Sequence, residues 1–423
     1  MSTNTSYISG PLGIRIFFSF AAGYLLSYAF RSINAVIAPS LLADLDLTNA
    51  DLGLLSSAYF VTFAALQLPM GIWLDKYGAR RTEAALLLIA VAGAIVFATS
   101  ETLTGLWIGR SLIGIGVSAC LMAPLTAFRQ WYAPQRQAQL ASWMLFAGTA
   151  GALSATVPVS LAVPLVGWRG VFWIMAGLIF LVALAVFFLL KPAEEQIPLV
   201  KRTTLSGAPA QGYRTIFGNP YFQRLAMLGS VCMGTFVAIQ TLWVGPWLTT
   251  VQGLDPVTTS EVLFAFNLAL MAGYLAMSWW APRMLAQGTD RGWPVTTVLT
   301  VGMTCTLLTQ TAILVTHGTH AWLLWIVLAA FAPMIMLAQT QISISFPSNL
   351  VGRANSAYNM TVFVFAFVVQ WGMGMAIDAF KGMGLTPEES MRATLAIFVA
   401  MEAVAVIAFA MNRSRASSAA VLS

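Results

Sequence analysis

The sequence predicts an all-α, polytopic membrane protein with twelve transmembrane helices in two six-helix halves. Three observations carry that prediction. Only 9% of the residues are charged and 59% are hydrophobic, whereas a soluble domain carries roughly 25% charge. So few charges cannot make a water-facing surface. The apolar residues gather into twelve runs, and a run of about 20 such residues is what a helix needs to cross the hydrocarbon. One long hydrophilic segment lies between the sixth run and the seventh.

The runs occupy residues 12–38, 51–74, 83–100, 104–131, 138–165, 171–190, 222–250, 260–280, 293–316, 320–343, 354–378 and 390–411. Backbone polar groups find no water in lipid, so each run is expected to be a helix. The hydrophilic stretch around Glu194, Glu195, Lys201, Arg202 and Arg214 is expected to be a cytoplasmic linker over 191–221, between halves at 1–190 and 222–423. With the N-terminus placed in the cytoplasm, sixteen Lys and Arg fall on the inner side. Only Arg169, Lys381 and Arg392 fall outside. By the positive-inside rule both termini are expected in the cytoplasm. The same scatter of basic residues explains the net charge of +6 without a basic patch, so nucleic acid is not an expected partner. Cys120, Cys232 and Cys305 lie in apolar runs and read as small buried hydrophobes. The polar segment 1–10 has no basic n-region and no small-residue cleavage site, so no cleaved signal peptide is expected.

Span one contains Arg31. An ionisable residue in a span costs a few kcal/mol or more and normally faces the bundle interior or a watery cavity. Tyr24, Tyr28 and Arg31 follow at i, i+4 and i+7, on one helical face, and Asn34 comes one turn later. Arg31 is expected either to meet substrate or to serve as a structural ion pair or carbonyl cap. A guanidinium suits an anion because it is always charged and offers a bidentate fork.

Between spans two and three stands Gly71-Ile-Trp-Leu-Asp75-Lys-Tyr-Gly78-Ala-Arg80-Arg81. It reads as a tight turn: Gly71 permits close helix approach, Gly78 can take a positive φ, and Asp75 can accept hydrogen bonds from helix ends. This pattern resembles the signature loop of the major facilitator superfamily, and the resemblance covers essentially the whole chain. It implies a cytoplasmic latch in which Gly71, Asp75, Gly78, Arg80 and Arg81 belong to gating, not to a substrate site. The second-half counterpart, Gly273 to Arg283, lacks the Asp. Span four, Arg110-Ser-Leu-Ile-Gly114-Ile-Gly116, is similar to the superfamily's arginine motif. Arg110 is thus either a packing and gating charge or a support for proton coupling. Span five, Gly148 to Pro158, departs from the Gly-Pro-rich motif of drug–proton antiporters.

Within the superfamily, the segment from Tyr28 to Phe60 looks like the beginning of organophosphate and anion–cation symporters. The likeness implies that Arg31 pairs with a carboxylate or phosphate. Span seven offers no charge after Arg224, which argues for a single negative charge. It carries Gln240 and Trp243 at i, i+3, followed by Gly245-Pro246, where the helix is expected to break or bend. Asn267 in span eight, Gln339 and Gln341 in span ten, and Asn359, Gln370 and Trp371 in span eleven are further polar candidates. Such amides serve as often in interhelical hydrogen bonds as in ligand contacts. Membrane carboxylates are few: Glu83 opens span three, Glu261 opens span eight, Asp378 closes span eleven and Glu402 sits near the middle of span twelve. Glu402 is expected either to serve proton coupling or, since span twelve is usually peripheral in the superfamily it resembles, to pair with a neighbour. His317 and His320 fall in a short loop.

The halves echo each other weakly, in Leu45-Asp46 and Leu254-Asp255 before spans two and eight, and in the loops around Arg136 and Arg353. Repeats with substrate at the midplane are a transporter architecture. The chain has no Walker lysine loop and no His-Glu-x-x-His motif, so neither an ATPase nor another enzyme is expected. The reading is a secondary transporter of a small organic anion, coupled to protons. It is expected in a bacterial-type inner membrane as a monomer, with no cofactor. An exporter of hydrophobic or cationic compounds, a non-transporting sensor on the same fold and an intramembrane enzyme are the rivals.

Overall fold

A computed structural model of the protein describes residues 7–8, 10–197, 209–284, 295–318, 320–347 and 350–411. Every regular element among them is helical. Nine of the described helical stretches are long and apolar enough to cross a membrane. The longest, Asn49–Thr99, has 51 residues. A straight helix of that length would run about 75 Å, more than twice the roughly 30 Å hydrocarbon thickness. It turns at Gly78, where φ is 81° and ψ 164°, a conformation that strains any residue with a Cβ. Spans two and three lie on either side. Gly167, at φ 69°, likewise separates the end of span five from span six within Val157–Leu189. Large apolar side chains on the outside, such as Phe18, Leu165 and Leu181, suit lipid.

Four spans are interrupted at matching intervals. Span one consists of Gly10–Ser32 and Asn34–Leu45, parted at Ile33. Span four is Leu103–Gly116 and Met122–Trp131, with turn residues between. Span seven runs from Pro220–Ala238 through a π-helical turn, Ile239–Trp243, into Val244–Thr250. Span ten has a 3₁₀ stretch, Ala332–Met336, between Leu323–Phe331 and Leu337–Ser345. Span five is also parted, at residues 155–156. Discontinuous helices of this kind form the binding sites of transporter folds built from repeats. Spans eight, nine, eleven and twelve are Pro256–Met284, Val295–Val315, Val351–Gly382 and Pro387–Met411. Asp255 caps span eight, accepting from the amides of Val257 at 2.9 Å and Thr258 at 3.1 Å. The Thr258 hydroxyl, with these amides, holds the Asp255 carboxyl below the usual carboxylate range.

The described residues form two compact units, residues 1–37 with 58–206 and residues 38–57 with 207–423. The start of span two thus clusters with the C-terminal spans. The linker expected over 191–221 contains two helices, Lys191–Gln196 and Pro209–Gly218. Lys201 and Arg202 lie outside the described residues.

Candidate functional site

In the first unit, Arg31 lies in the last turn of Gly10–Ser32, just before the interruption at Ile33. Helical side chains lean toward the N-terminus, and the guanidinium accordingly sits back over Tyr28, 4.5 Å from its ring centroid. Phe63 at 5.6 Å and Tyr59 at 5.7 Å complete a ring-lined seat. Each such contact contributes about 0.5–2 kcal/mol, the more so when desolvated. The rings fix the place of the guanidinium beside the point where span one is interrupted. The Tyr24 hydroxyl donates to that of Tyr28 at 3.3 Å, and Asn34 is buried just past the interruption. Sequence reasoning missed Tyr59. It is buried, its hydroxyl lies 3.3 Å from the Ser27 hydroxyl, and it is within electrostatic reach of Arg31, Arg110 and Cys120. It belongs to the segment that carries the symporter likeness, but it sits in another span, so no spacing rule ties it to Arg31.

Arg110 is fully buried. Its Nη1 donates to the carbonyl of Phe30 at 2.7 Å, and the rings of Phe97 and Phe172 lie 4.8 Å and 5.1 Å away. It therefore grips the backbone one residue before Arg31, where span one is about to break.

In the second unit the polar candidates pair among themselves. Gln240 donates to Asn267 at 3.1 Å, and Asn267 donates to the Leu263 carbonyl at 2.8 Å. Gln339 donates to Asn359 at 3.4 Å. The Trp243 indole donates to the Gln370 carbonyl at 3.2 Å, and Gln341 accepts from Tyr221. Gln240 and Trp243 fall inside the π turn. The irregularity therefore precedes Gly245-Pro246 instead of following from it outward. Pro246 has no N–H and its ring crowds the carbonyl four residues back, so the ladder widens before the proline. Trp247 is buried against Trp325, with centroids 5.8 Å apart.

In the loop after span two, Arg80 reaches span six and the helix that follows it. Its Nε donates to Glu194 in an ion pair, its Nη1 donates to the Phe187 carbonyl at 3.0 Å, and it lies 4.9 Å from the Phe187 ring. Asp75 and Arg81 are exposed, and Asp75 accepts no hydrogen bond among the described residues. A Cβ on Gly71 would meet nothing within 4 Å, so close helix approach is not what Gly71 provides here. Glu194 stood in the sequence only as linker charge. Arg283 lies in the span-eight helix, and nothing of its side chain is described. Glu402 is buried in span twelve and accepts from the Gln310 amide at 2.9 Å.

Within the second unit, Asp378 caps the start of span two. It accepts from the Ala50 amide at 2.6 Å, the Asn49 side-chain amide at 2.7 Å and the Asn49 backbone at 3.4 Å. Gly374, one turn earlier, presses on the Asn49 carbonyl so closely that a Cβ would overlap it. Replacing a helix-capping carboxylate costs about 0.5–2 kcal/mol. Asp378→Ala is therefore expected to speed amide hydrogen exchange at residues 50–53 by roughly two- to thirtyfold. Unchanged exchange there would show that the cap does not hold the helix start.

Interrupted apolar helices with charges buried among them define a multi-pass membrane protein of transporter architecture. The chain belongs to the Major Facilitator Superfamily, whose profile matches residues 20–370. It is 25% identical over 264 residues to the probable sulfoacetate transporter SauU of Cupriavidus necator, covering 59% of this chain and 60% of that protein. It is 24% identical over 277 residues to the hexuronate transporter of Escherichia coli, covering 60% and 62%. The chain thus spans about three fifths of the length of these relatives. A bacterial homolog of the human lysosomal transporter Spinster shares the fold, with a TM-score of 0.77 at 17% identity, over 96% of this chain and 98% of that one.

Proposed function

We propose that this protein is a secondary active transporter of a small carboxylate-type organic anion, coupled to protons and working by alternating access. The observation that carries the reading is the seat of Arg31: a guanidinium held by three aromatic rings at the point where span one breaks. A bidentate cation in that position matches a carboxylate, and one such cation matches one negative charge. The relatives' names, sulfoacetate and hexuronate transporter, both denote carriers of organic anions. The charge bias of the loops supports an orientation with both termini in the cytoplasm, in an inner membrane. Transport of this kind needs binding energies that differ between the two access states.

The test is counterflow in liposomes preloaded with sulfoacetate, glucuronate, galacturonate, glucose or a lipophilic cation. Exchange of a carboxylate and not of glucose is the expected result. Exchange of the lipophilic cation alone would overturn the reading in favour of an exporter.

The Arg80–Glu194 pair serves as the latch. Arg80→Gln and Glu194→Gln are each expected to lower maximal exchange rate while leaving the half-saturating concentration within about twofold. The double variant should be no worse than the worse single one, because both singles remove the same interaction. Additive losses would show that the two residues act separately.

A further inference from the structure

Glu83 is wholly buried, and neither of its carboxylate oxygens has a hydrogen-bond partner among the described residues. It stands on span three, five residues past the turn at Gly78. Three elements close around it. Span one presents the bare backbone of Gly23, where a Cβ would come within 3.0 Å of the Glu83 Oε1. Around that same point Val182 of span six lies at 3.6 Å and the Cys120 sulfur at 3.9 Å. Cys120 belongs to the turn between the two pieces of span four. Of these neighbours Cys120 is the titratable one, and no hydrogen-bonding cation reaches the carboxyl among the described residues. The other buried acid, Glu402, is held by Gln310.

A lone ionised carboxylate in such a place costs several kcal/mol, and a buried ionisable group that nothing neutralises marks a functional site in a membrane protein. Its surroundings lead to Arg31. The Cys120 thiol lies within electrostatic reach of both Glu83 and Tyr59, and Tyr59 within reach of Arg31. All four groups belong to the first unit.

We propose that Glu83 takes up and releases the proton that travels with the substrate, acting on the anion at Arg31 through the span-one helix, which sets Gly23 against the carboxyl and carries Arg31 in its last turn. The inference rests on the anion-transport reading above. An O–H bond forms at Glu83 with a proton from water on the side where substrate enters. That bond breaks to water on the side where substrate leaves. No electrons are transferred, and one proton accompanies one substrate anion. A protonated Glu83 adds no negative charge beside the helix that carries Arg31, so the anion binds. An ionised Glu83 opposes it. By reciprocity a bound anion strengthens proton binding to the same degree.

The full chain in liposomes decides this, with glucuronate or sulfoacetate as probe, whichever the wild type exchanges. Glu83→Gln is expected to go on exchanging the probe in counterflow. It should lose roughly tenfold or more of the accumulation driven by a pH gradient, within the usual range of coupling between sites. Substrate-evoked pH change inside the liposomes should vanish. Glu83→Asp, which keeps the acid, should retain driven accumulation. Wild-type accumulation by Glu83→Gln would overturn the proposal. So would loss of counterflow in a variant that unfolds at the wild-type temperature. Infrared difference spectra of the purified protein between acid and alkaline buffer supply a readout without substrate. A protonated-carboxyl band present in wild type and missing from Glu83→Gln is expected, and its persistence in the variant would overturn the proposal. If neither probe exchanges but the band behaves as expected, the transport reading fails while proton exchange at Glu83 stands.

Discussion

Arg31→Gln is expected to raise the half-saturating concentration of the transported anion by at least about thirtyfold. Truncating one partner of a desolvated charge pair costs about 2–5 kcal/mol, and each 1.4 kcal/mol is about a factor of ten. Glutamine keeps a donor and much of the length, so the loss reports the charge and the second prong of the fork. Arg31→Lys keeps the charge but loses the planar fork, and should fall between the two. The seat itself should survive, because its rings have contacts of their own: Tyr59 and Phe63 stack with centroids 5.8 Å apart, and Tyr28 meets Tyr24 edge-on at 5.0 Å. Concentration-dependent counterflow of the wild type and both variants measures this. Equal transport by Arg31→Gln would remove Arg31 from the substrate site.

Gly151→Val is expected to abolish transport and lower the thermal unfolding temperature in detergent. Spans one and five meet backbone to backbone here. A Cβ at Gly151 would overlap the carbonyl oxygen of Leu25, and one at Gly148 would lie 2.6 Å from the Tyr24 ring and 3.1 Å from that of Tyr28. Neither obstacle is the free end of a flexible side chain. Overpacking of this kind costs about 1–3 kcal/mol, and occasionally more, unless span five moves away. If it does move, the tyrosines beneath Arg31 move too. Gly177→Ala is the matched comparison, since a Cβ there meets nothing within 4 Å. It should leave stability unchanged or raise it by up to about 1 kcal/mol through helix propensity. A Gly151→Val protein with wild-type stability would mean that the two spans are not pressed together.

What could be read beforehand in this protein was local or set by the membrane. Twelve apolar runs needed only composition and length, because lipid forces every span to satisfy its backbone within itself. Tyr28 meets Arg31 because three residues bring side chains to one helical face, and no partner from elsewhere is required. Gly78 takes the positive φ that its turn demands.

Glu83 shows where that legibility stops. The apolar run starts at 83, so the acid looked like a terminal residue. The helix in fact begins again directly after Gly78, which carries Glu83 more than a full turn inward. Its isolation depends on Gly23 and Cys120, which lie 60 and 37 positions away in sequence and in other spans. Glu194 reads as one linker charge among several until the chain returns it to Arg80. Asp378 ends a span by pattern, and only the packed second unit gives it the start of span two to cap. Arg110 asked for an acceptor, and the fold supplied a carbonyl of span one. The sequence by itself determined the fold class, the span positions and the cation on the first helix, because periodicity and transfer into lipid act residue by residue. The tertiary structure decided which charges have partners, because helix crossings set distances that no spacing along one chain encodes.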